Sequence, residues 1–335
     1  MRDLATLPKV DLHAHFQGSV RVSTLRELAA THGTDLPPGL VGERYRWRDF
    51  FDFLTQYGIV SGTIMAADAY FRIAYEIAED YAVQGVPYAE VTLSLTGQSL
   101  TTSDYDSPLG AVLDGFDAGR ESFGTQCRVI VDHPRGFPIS YADQLLDAAL
   151  RHRDRGVVAL GLAGPEAQSG APVAEVFLRA IDEGLHSVPH AGEATGPDSI
   201  REAIDLLGAQ RIGHGIRAVE DEDLLVQLRD TRIPLEVCPT SNVVLGNVAS
   251  YDAHPLPRLM DAGVIVTLNS DDPAMFHSNL VGEYEVARDV FGLSDGQLAD
   301  LARAGVRASF ADDTLKQEME DDIDRWLAEP GKEST

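Results

Sequence analysis

V-P-H-A-G-E-A-T-G-P-D-S-I-R-E-A-I-D-L-L-G-A-Q-R-I-G-H-G, residues 188–215, is the stretch from which the fold is read. The segment from His186 to His190 is a short apolar strand running into a Gly-Pro-rich loop that carries His190 and Glu193. After about one helix of chain a second short strand begins, and His214 closes it between two glycines. Strand, helix, strand is a βαβ unit, here with ionisable side chains at both strand ends. Barrel enzymes collect their catalytic groups on that face, so the stretch marks an active site.

Outward from it the same alternation continues. Strands are expected at Val10 to Phe16, Pro87 to Leu95, Arg128 to His133, Val157 to Leu162, His186 to His190, Arg211 to His214, Pro234 to Cys238 and Val264 to Asn269, eight in all. Helical periodicity fills segments between them: Leu25 to Thr31, Ala69 to Gln84, Tyr141 to Arg153, Val173 to Glu183, Ile200 to Leu207 and Asp221 to Asp230. Eight strand–helix units imply a closed α/β barrel, a (β/α)8 TIM barrel. The rival, an open doubly wound sheet, lacks the G-x-G-x-x-G that would follow its first strand. No Ser/Gly-rich linker interrupts residues 1–335, which are therefore expected to form one domain.

Composition limits what such a domain can do. With 335 residues, 44% of them hydrophobic, the chain can bury a large core. A formal net charge of -26 opposes binding to nucleic acid and to anionic membranes. No stretch approaches the ~20 apolar residues of a membrane span, and M-R-D-L-A-T-L-P-K-V lacks the apolar core of a signal peptide, so a cytoplasmic location is expected. Cys127 and Cys238 lie in apolar strand-like runs and are read as reduced core residues. A small-molecule substrate fits these limits, while the oligomeric state is left open.

The first expected strand ends in Asp11-Leu12-His13-Ala14-His15-Phe16-Gln17-Gly18. Alternation along a strand points His13 and His15 to one side, where two neutral imidazoles can share a metal ion. His190 and Asp271, the latter in Leu268-Asn269-Ser270-Asp271-Asp272-Pro273, lie at the ends of other strands that a barrel brings together. Barrel hydrolases with two bridged metals generally need a carbamylated lysine at a middle strand end, and the three lysines, Lys9, Lys316 and Lys332, are not so placed. One zinc ion with three histidines, one aspartate and an activated water is the expected centre.

These residues also carry a resemblance. Leu7-Pro8-Lys9-Val10-Asp11-Leu12-His13-Ala14-His15, His190-Ala191-Gly192-Glu193, Gly213-His214-Gly215, Cys238-Pro239-Thr240-Ser241-Asn242 and Ser270-Asp271-Asp272-Pro273 resemble, in order and spacing, the motifs of the adenosine deaminase family of metal-dependent barrel enzymes. The resemblance implies zinc held by His13, His15, His190 and Asp271, Glu193 as proton donor to purine N1, and His214 as partner of the attacking water. It further implies a contact from Asp272 to N7 and from the backbone of Gly164 to N3. Replacing an aromatic amine by oxygen fits this set. A metal makes water nucleophilic near neutral pH, a buried carboxylic acid can stabilise the electron pair arriving at N1, and a histidine beside the metal shell can orient the water and pass a proton to ammonia.

At one position the chain departs from the family. Where the family commonly carries Asp-Gly, with the aspartate on a sugar hydroxyl, this sequence has Gln17-Gly18. The amide can still accept a hydrogen bond but removes a charge that would repel an anionic 5′ group. Arg44, Arg46 and Arg48 follow the first helix, where a lid over the mouth would lie, and are either lid cations or solvated surface. Adenosine is the first substrate expected. 6-Amino-6-deoxyfutalosine and adenine are the alternatives, and hydrolysis of an ester or cyclic amide, or zinc binding without turnover, are the rival functions. His133 is expected at the pocket wall without a catalytic role, Cys238 in packing, and His254 and His277 on loops without assignment.

Overall fold

A computed structural model describes residues 2–96 and 103–329. Its eight strands are β1 (Val10–His15), β2 (Tyr88–Ser94), β3 (Gln126–Pro134), β4 (Val157–Ala163), β5 (His186–Ala191), β6 (Ile212–His214), β7 (Leu235–Val237) and β8 (Val266–Leu268). They lie in sequence order in one sheet, each pairing parallel with the next. Every strand expected from the sequence is present, with ends within two residues of the expected ones. The chain therefore forms the (β/α)8 barrel.

Closure falls just beyond β8. Ala14 bridges Asp271 in parallel, the His15 N–H donates to the Asp271 carbonyl at 2.8 Å, and the Asp271 N–H donates to the His13 carbonyl at 2.9 Å. The seam is reinforced by Asp11, whose carboxylate accepts from the hydroxyls of Ser270 (2.5 Å) and Tyr81 (3.2 Å), and by Asn269, which accepts from the Leu12 N–H at 2.9 Å. The backbone that shuts the barrel is thus the backbone carrying three of the four expected metal ligands.

Successive residues of a strand face opposite sides of the sheet, and the core divides accordingly. One contiguous apolar layer, including Leu12, Val129, Val131, Leu146, Phe177 and Leu235, fills the space between strands and helices. Ile130, Ala159 and Val188 form a small separate cluster on the other side, with Phe310 packed on it. There Phe310 stacks on His186 with ring centroids 3.7 Å apart, and the Arg211 guanidinium carbon lies 3.9 Å from the Phe310 ring centroid.

The sequence reading named no helix between Thr31 and Ala69. The structure has one at Phe50–Thr63, capped by Asp49, whose side chain accepts from the Asp52 N–H. Phe50, Phe53, Leu54 and Tyr57 recur at the i, i+3, i+4, i+7 spacing of one helical face, and all four line the cavity described next. Helices at Leu280–Asp289 and Asp295–Ala308 were likewise not anticipated.

Candidate active site

A cavity of about 390 Å³ opens at the carboxyl ends of the strands, a volume within the ~300–1,000 Å³ of small-molecule sites. At its floor His13, His15, His190 and Asp271 converge. His15 Nε2 lies 3.1 Å from His190 Nε2 and 3.4 Å from Asp271 Oδ1, and His13 Nε2 lies 3.8 Å from the same oxygen. A tetrahedral zinc ion with bonds of ~2.0–2.1 Å separates its ligand atoms by ~3.3–3.4 Å, which these distances bracket. His13 Nδ1 faces Glu236 Oε2 at 2.8 Å, which turns the Nε2 lone pair toward the floor, where that buried nitrogen has no hydrogen-bond partner among the described residues. Burial, reinforced by the neighbouring imidazoles, holds His13 and His190 well below the ordinary histidine range, in the neutral form that ligation requires. The donor set fits one zinc ion.

Backbone geometry sets the directions of these groups. Among the described residues five non-glycine residues have positive φ, and two of them, His214 (φ 61) and Asp271 (φ 62), carry site side chains. Gly213 precedes His214 because a Cβ there would lie 2.7 Å from His13 Cε1. Gly18 is required in the same way, since its Cβ would lie 1.7 Å from Asp272 Oδ1.

Glu193 and His214 stand beside the donor set. Their Oε2 and Nε2 atoms are 3.7 Å apart, and His214 Nε2 is 3.8 Å from Asp271 Oδ2. Burial pushes the Glu193 carboxyl upward, opposed but not cancelled by His214. The Asn247 amide donates to its other oxygen at 2.9 Å. The turn bearing Glu193 is held by Glu166, whose carboxylate accepts from the N–H groups of Gly192, Glu193 (3.1 Å), Ala194 (2.6 Å) and Thr195 (2.9 Å) and from the Ser199 hydroxyl. Asp272 is pushed well above the usual carboxylate range by burial and then by the adjoining Asp271, and its buried Oδ1 has no partner among the described residues. Gly164 lines the cavity with φ +93, a conformation favouring glycine.

Other expected positions fall differently. Gln17 is 1% exposed and does not line the cavity: its Nε2 donates to the Ser94 carbonyl at 2.7 Å and its Oε1 accepts from the Tyr57 hydroxyl at 3.1 Å. Its amide is thus taken up by Tyr57 and Ser94, and these two residues line the cavity wall. Arg44, Arg46 and Arg48 are exposed and line no part of the cavity, and Arg48 pairs with Asp52 at 3.1 Å. They are surface residues. His133 packs against Tyr141, while Asp132, Pro134 and Arg135 around it line the cavity. Cys127 and Cys238 are buried and unpaired with each other.

The motifs around these side chains decide the family. The adenosine deaminase family profile matches residues 8–326. The chain belongs to the adenosine deaminase family. It is 41% identical over 333 residues to the aminodeoxyfutalosine deaminase of Streptomyces coelicolor, covering 97% of this chain and 86% of that one. It is 36% identical to the adenosine deaminase of Shewanella denitrificans over 94% of this chain and 97% of that one. Among solved structures, adenine deaminase from Arthrobacter aurescens superposes with a TM-score of 0.89 at 30% identity, covering 96% of this chain and 99% of that one. The protein is a metal-dependent hydrolytic deaminase of the 6-aminopurine type. No helix among the described residues is long and apolar enough to cross a membrane.

Proposed function

We propose that the protein removes the 6-amino group of a purine nucleoside, with adenosine as the reference substrate, using one zinc ion per chain held by His13, His15, His190 and Asp271. The observation that carries this reading is the supply of hydrogen-bond donors. N1, N3 and N7 of a 6-aminopurine are all acceptors, and a carboxylate cannot serve an acceptor. Glu193, Asp272 and Gly164 all line the cavity beside the donor set, and burial pushes both carboxyls toward the protonated form, so each would present an O–H, to N1 and N7 respectively, with the Gly164 N–H serving N3.

When bound, zinc supplies a water acidic enough to ionise near neutral pH. As oxygen adds to C6, Glu193 gives its proton to N1 and so absorbs the electron pair displaced from the ring. His214 orients the attacking oxygen. Of the two protons of the water, one ends on the departing nitrogen and the other replaces the proton Glu193 gave away; the C6–N bond breaks and ammonia leaves. A cytoplasmic location belongs to the same proposal.

A second reading, a 5′-substituted adenosine of the aminodeoxyfutalosine kind, is favoured by one feature. Gln17 offers the sugar no free acceptor, and the outer cavity is walled by Phe50, Phe53, Leu54, Phe137 and Leu245, an apolar surface suited to an added aromatic group. Ammonia release should be measured over adenine, adenosine, 5′-modified adenosines and aminodeoxyfutalosine. At least one nucleoside should exceed adenine in kcat/KM by tenfold or more, and the preferred 5′ group separates the two readings. Zinc-loaded protein inert toward every 6-aminopurine would refute both.

A further inference from the structure

His254 was left without assignment by the sequence, yet it is 5% exposed and joined to His214 through one intermediary. The Leu256 N–H donates to His254 Nδ1 at 3.1 Å, His254 Nε2 meets Asn242 Oδ1 at 3.1 Å, and Asn242 Nδ2 meets His214 Nδ1 at 3.2 Å. Asn242 is itself fixed, since its N–H donates to the Cys238 carbonyl at 3.0 Å and its carbonyl accepts from the Val248 N–H at 2.9 Å.

The direction of this chain follows from its first link, because a backbone N–H can only donate. His254 Nδ1 must therefore be the bare nitrogen, and a neutral ring then carries its proton on Nε2. Burial keeps His254 neutral, lowered to about 4. That N–H requires an oxygen opposite it, which orients the Asn242 amide with its NH2 toward His214. An amide NH2 only donates, so His214 Nδ1 must accept, and the proton of a neutral His214 is left on Nε2, the nitrogen that looks toward Glu193 and Asp271.

We infer that Asn242 and His254 are positioning residues that hold His214 in its Nε2–H tautomer, so that His214 meets the attacking oxygen as a hydrogen-bond donor and not as the base that takes its proton. The donor fixes the oxygen so that a lone pair is left for C6. Taking the proton on Nε2 would need Nδ1–H against the Asn242 NH2, two donors facing each other in a site without room for water between them. The kinetic side of this inference rests on the deaminase reading above, whereas the tautomer does not.

The test uses zinc-loaded protein labelled with 15N at histidine, with His214 assigned by comparison with His214→Asn. Long-range 1H–15N correlations should show a protonated Nε2 and a bare Nδ1 for His214. A His214 proton on Nδ1 would overturn the inference whatever the enzyme's substrate. Asn242→Asp offers only acceptors and should reverse the tautomer, lowering kcat by about 10²-fold or more while KM changes less than about threefold and zinc content stays at the wild-type level. His254→Leu should lower kcat in the same way. His254→Gln, which can still place an NH2 against Asn242 Oδ1, should recover most of the loss. Wild-type kcat in both Asn242→Asp and His254→Leu would refute the role. Failure of the wild-type protein to release ammonia would strike the deaminase reading alone, with the 15N spectrum still deciding the tautomer.

Discussion

Glu166 is not one of the expected metal ligands and does not line the cavity, yet the orientation of Glu193 depends on it. Its carboxylate gathers four consecutive backbone N–H groups, Gly192 through Thr195, and the Ser199 hydroxyl. Glu166→Ala removes every acceptor at once. Gly192 keeps a second acceptor in the Ser199 hydroxyl at 2.8 Å, so three N–H groups lose their only recorded partner. Only the Glu193 N–H among them is fully buried, those of Ala194 and Thr195 being partly open to water, so at ~1–3 kcal/mol for an unmet buried donor the native turn loses roughly 1–3 kcal/mol plus smaller contributions from the other two. That is a sizeable fraction of the ~5–15 kcal/mol stability of a domain, and the turn should rearrange to let water reach its N–H groups. Glu193 would then leave its position 3.7 Å from His214 Nε2. Turnover should fall by at least the ~10²–10⁴ attributed to general acid catalysis, with zinc content retained because His190 precedes the turn on β5. Glu166→Gln keeps one acceptor oxygen and should lie between. Thermal unfolding, metal analysis and steady-state kinetics on the three proteins measure this. Glu166→Ala within about 1 kcal/mol of wild type and within twofold in kcat would refute the argument.

Three further outcomes are expected. Glu193→Gln keeps the shape but offers N1 a much weaker acid, so kcat should fall by roughly 10²–10⁴ with zinc binding intact; near-native turnover would assign the proton to another group. One zinc per chain should be found by metal analysis and lost in His15→Ala or Asp271→Ala, and because those residues close the barrel, chelation should lower the unfolding midpoint, which added zinc then restores; two tightly bound ions would count against the single-ion centre. Glu283, buried and accepting from the Thr240 N–H at 3.1 Å, is raised by burial to about 8 from 4.5. Between those values the folded state holds the proton that the unfolded state has lost. Stability should therefore be highest below pH 4.5 with respect to this group and fall as pH rises toward 8, by at most about 1.4 kcal/mol per pH unit, and Glu283→Gln should flatten that slope.

The barrel was legible because its signals are local. Each strand is a short apolar run bounded by turn residues, and the chemistry sits where each run stops, so spacing alone carried His13, His15, His190, His214 and Asp271 to one end. The helix Phe50–Thr63 is equally legible in its aromatics, which recur at the spacing of one helical face. Gln17 is a different case. From the sequence it could only be compared with the aspartate it replaces, and nothing in the chain order tells that Tyr57, 40 residues on, and Ser94, 77 residues on, take up its amide. Asn242 closes the Cys238–Asn242 motif and Glu166 stands two residues after Gly164, but a carboxylate that collects N–H groups and an amide that passes on a direction are visible only when their partners are in place.

The same holds for the layer beneath the donor set, where long-range partners determine what short motifs cannot. Glu236 receives His13 Nδ1 at 2.8 Å and Arg211 Nε at 2.5 Å, and Arg211 reaches Glu90 at 2.5 Å, all four side chains being buried. Two carboxylates share one guanidinium, and Asp271 adds a third carboxylate a few ångströms above. Burial pushes Glu236 upward despite Arg211, since an excess of negative charge in a low-dielectric interior is costly unless it is paired. Protonating Glu236 would leave His13 Nδ1–H without a charged acceptor, and adding a second cation below would crowd Phe310, on which Arg211 already rests. A divalent ion held above the histidines would supply positive charge at the face where the lone pairs point, completing the column of charges from Glu90 to His13.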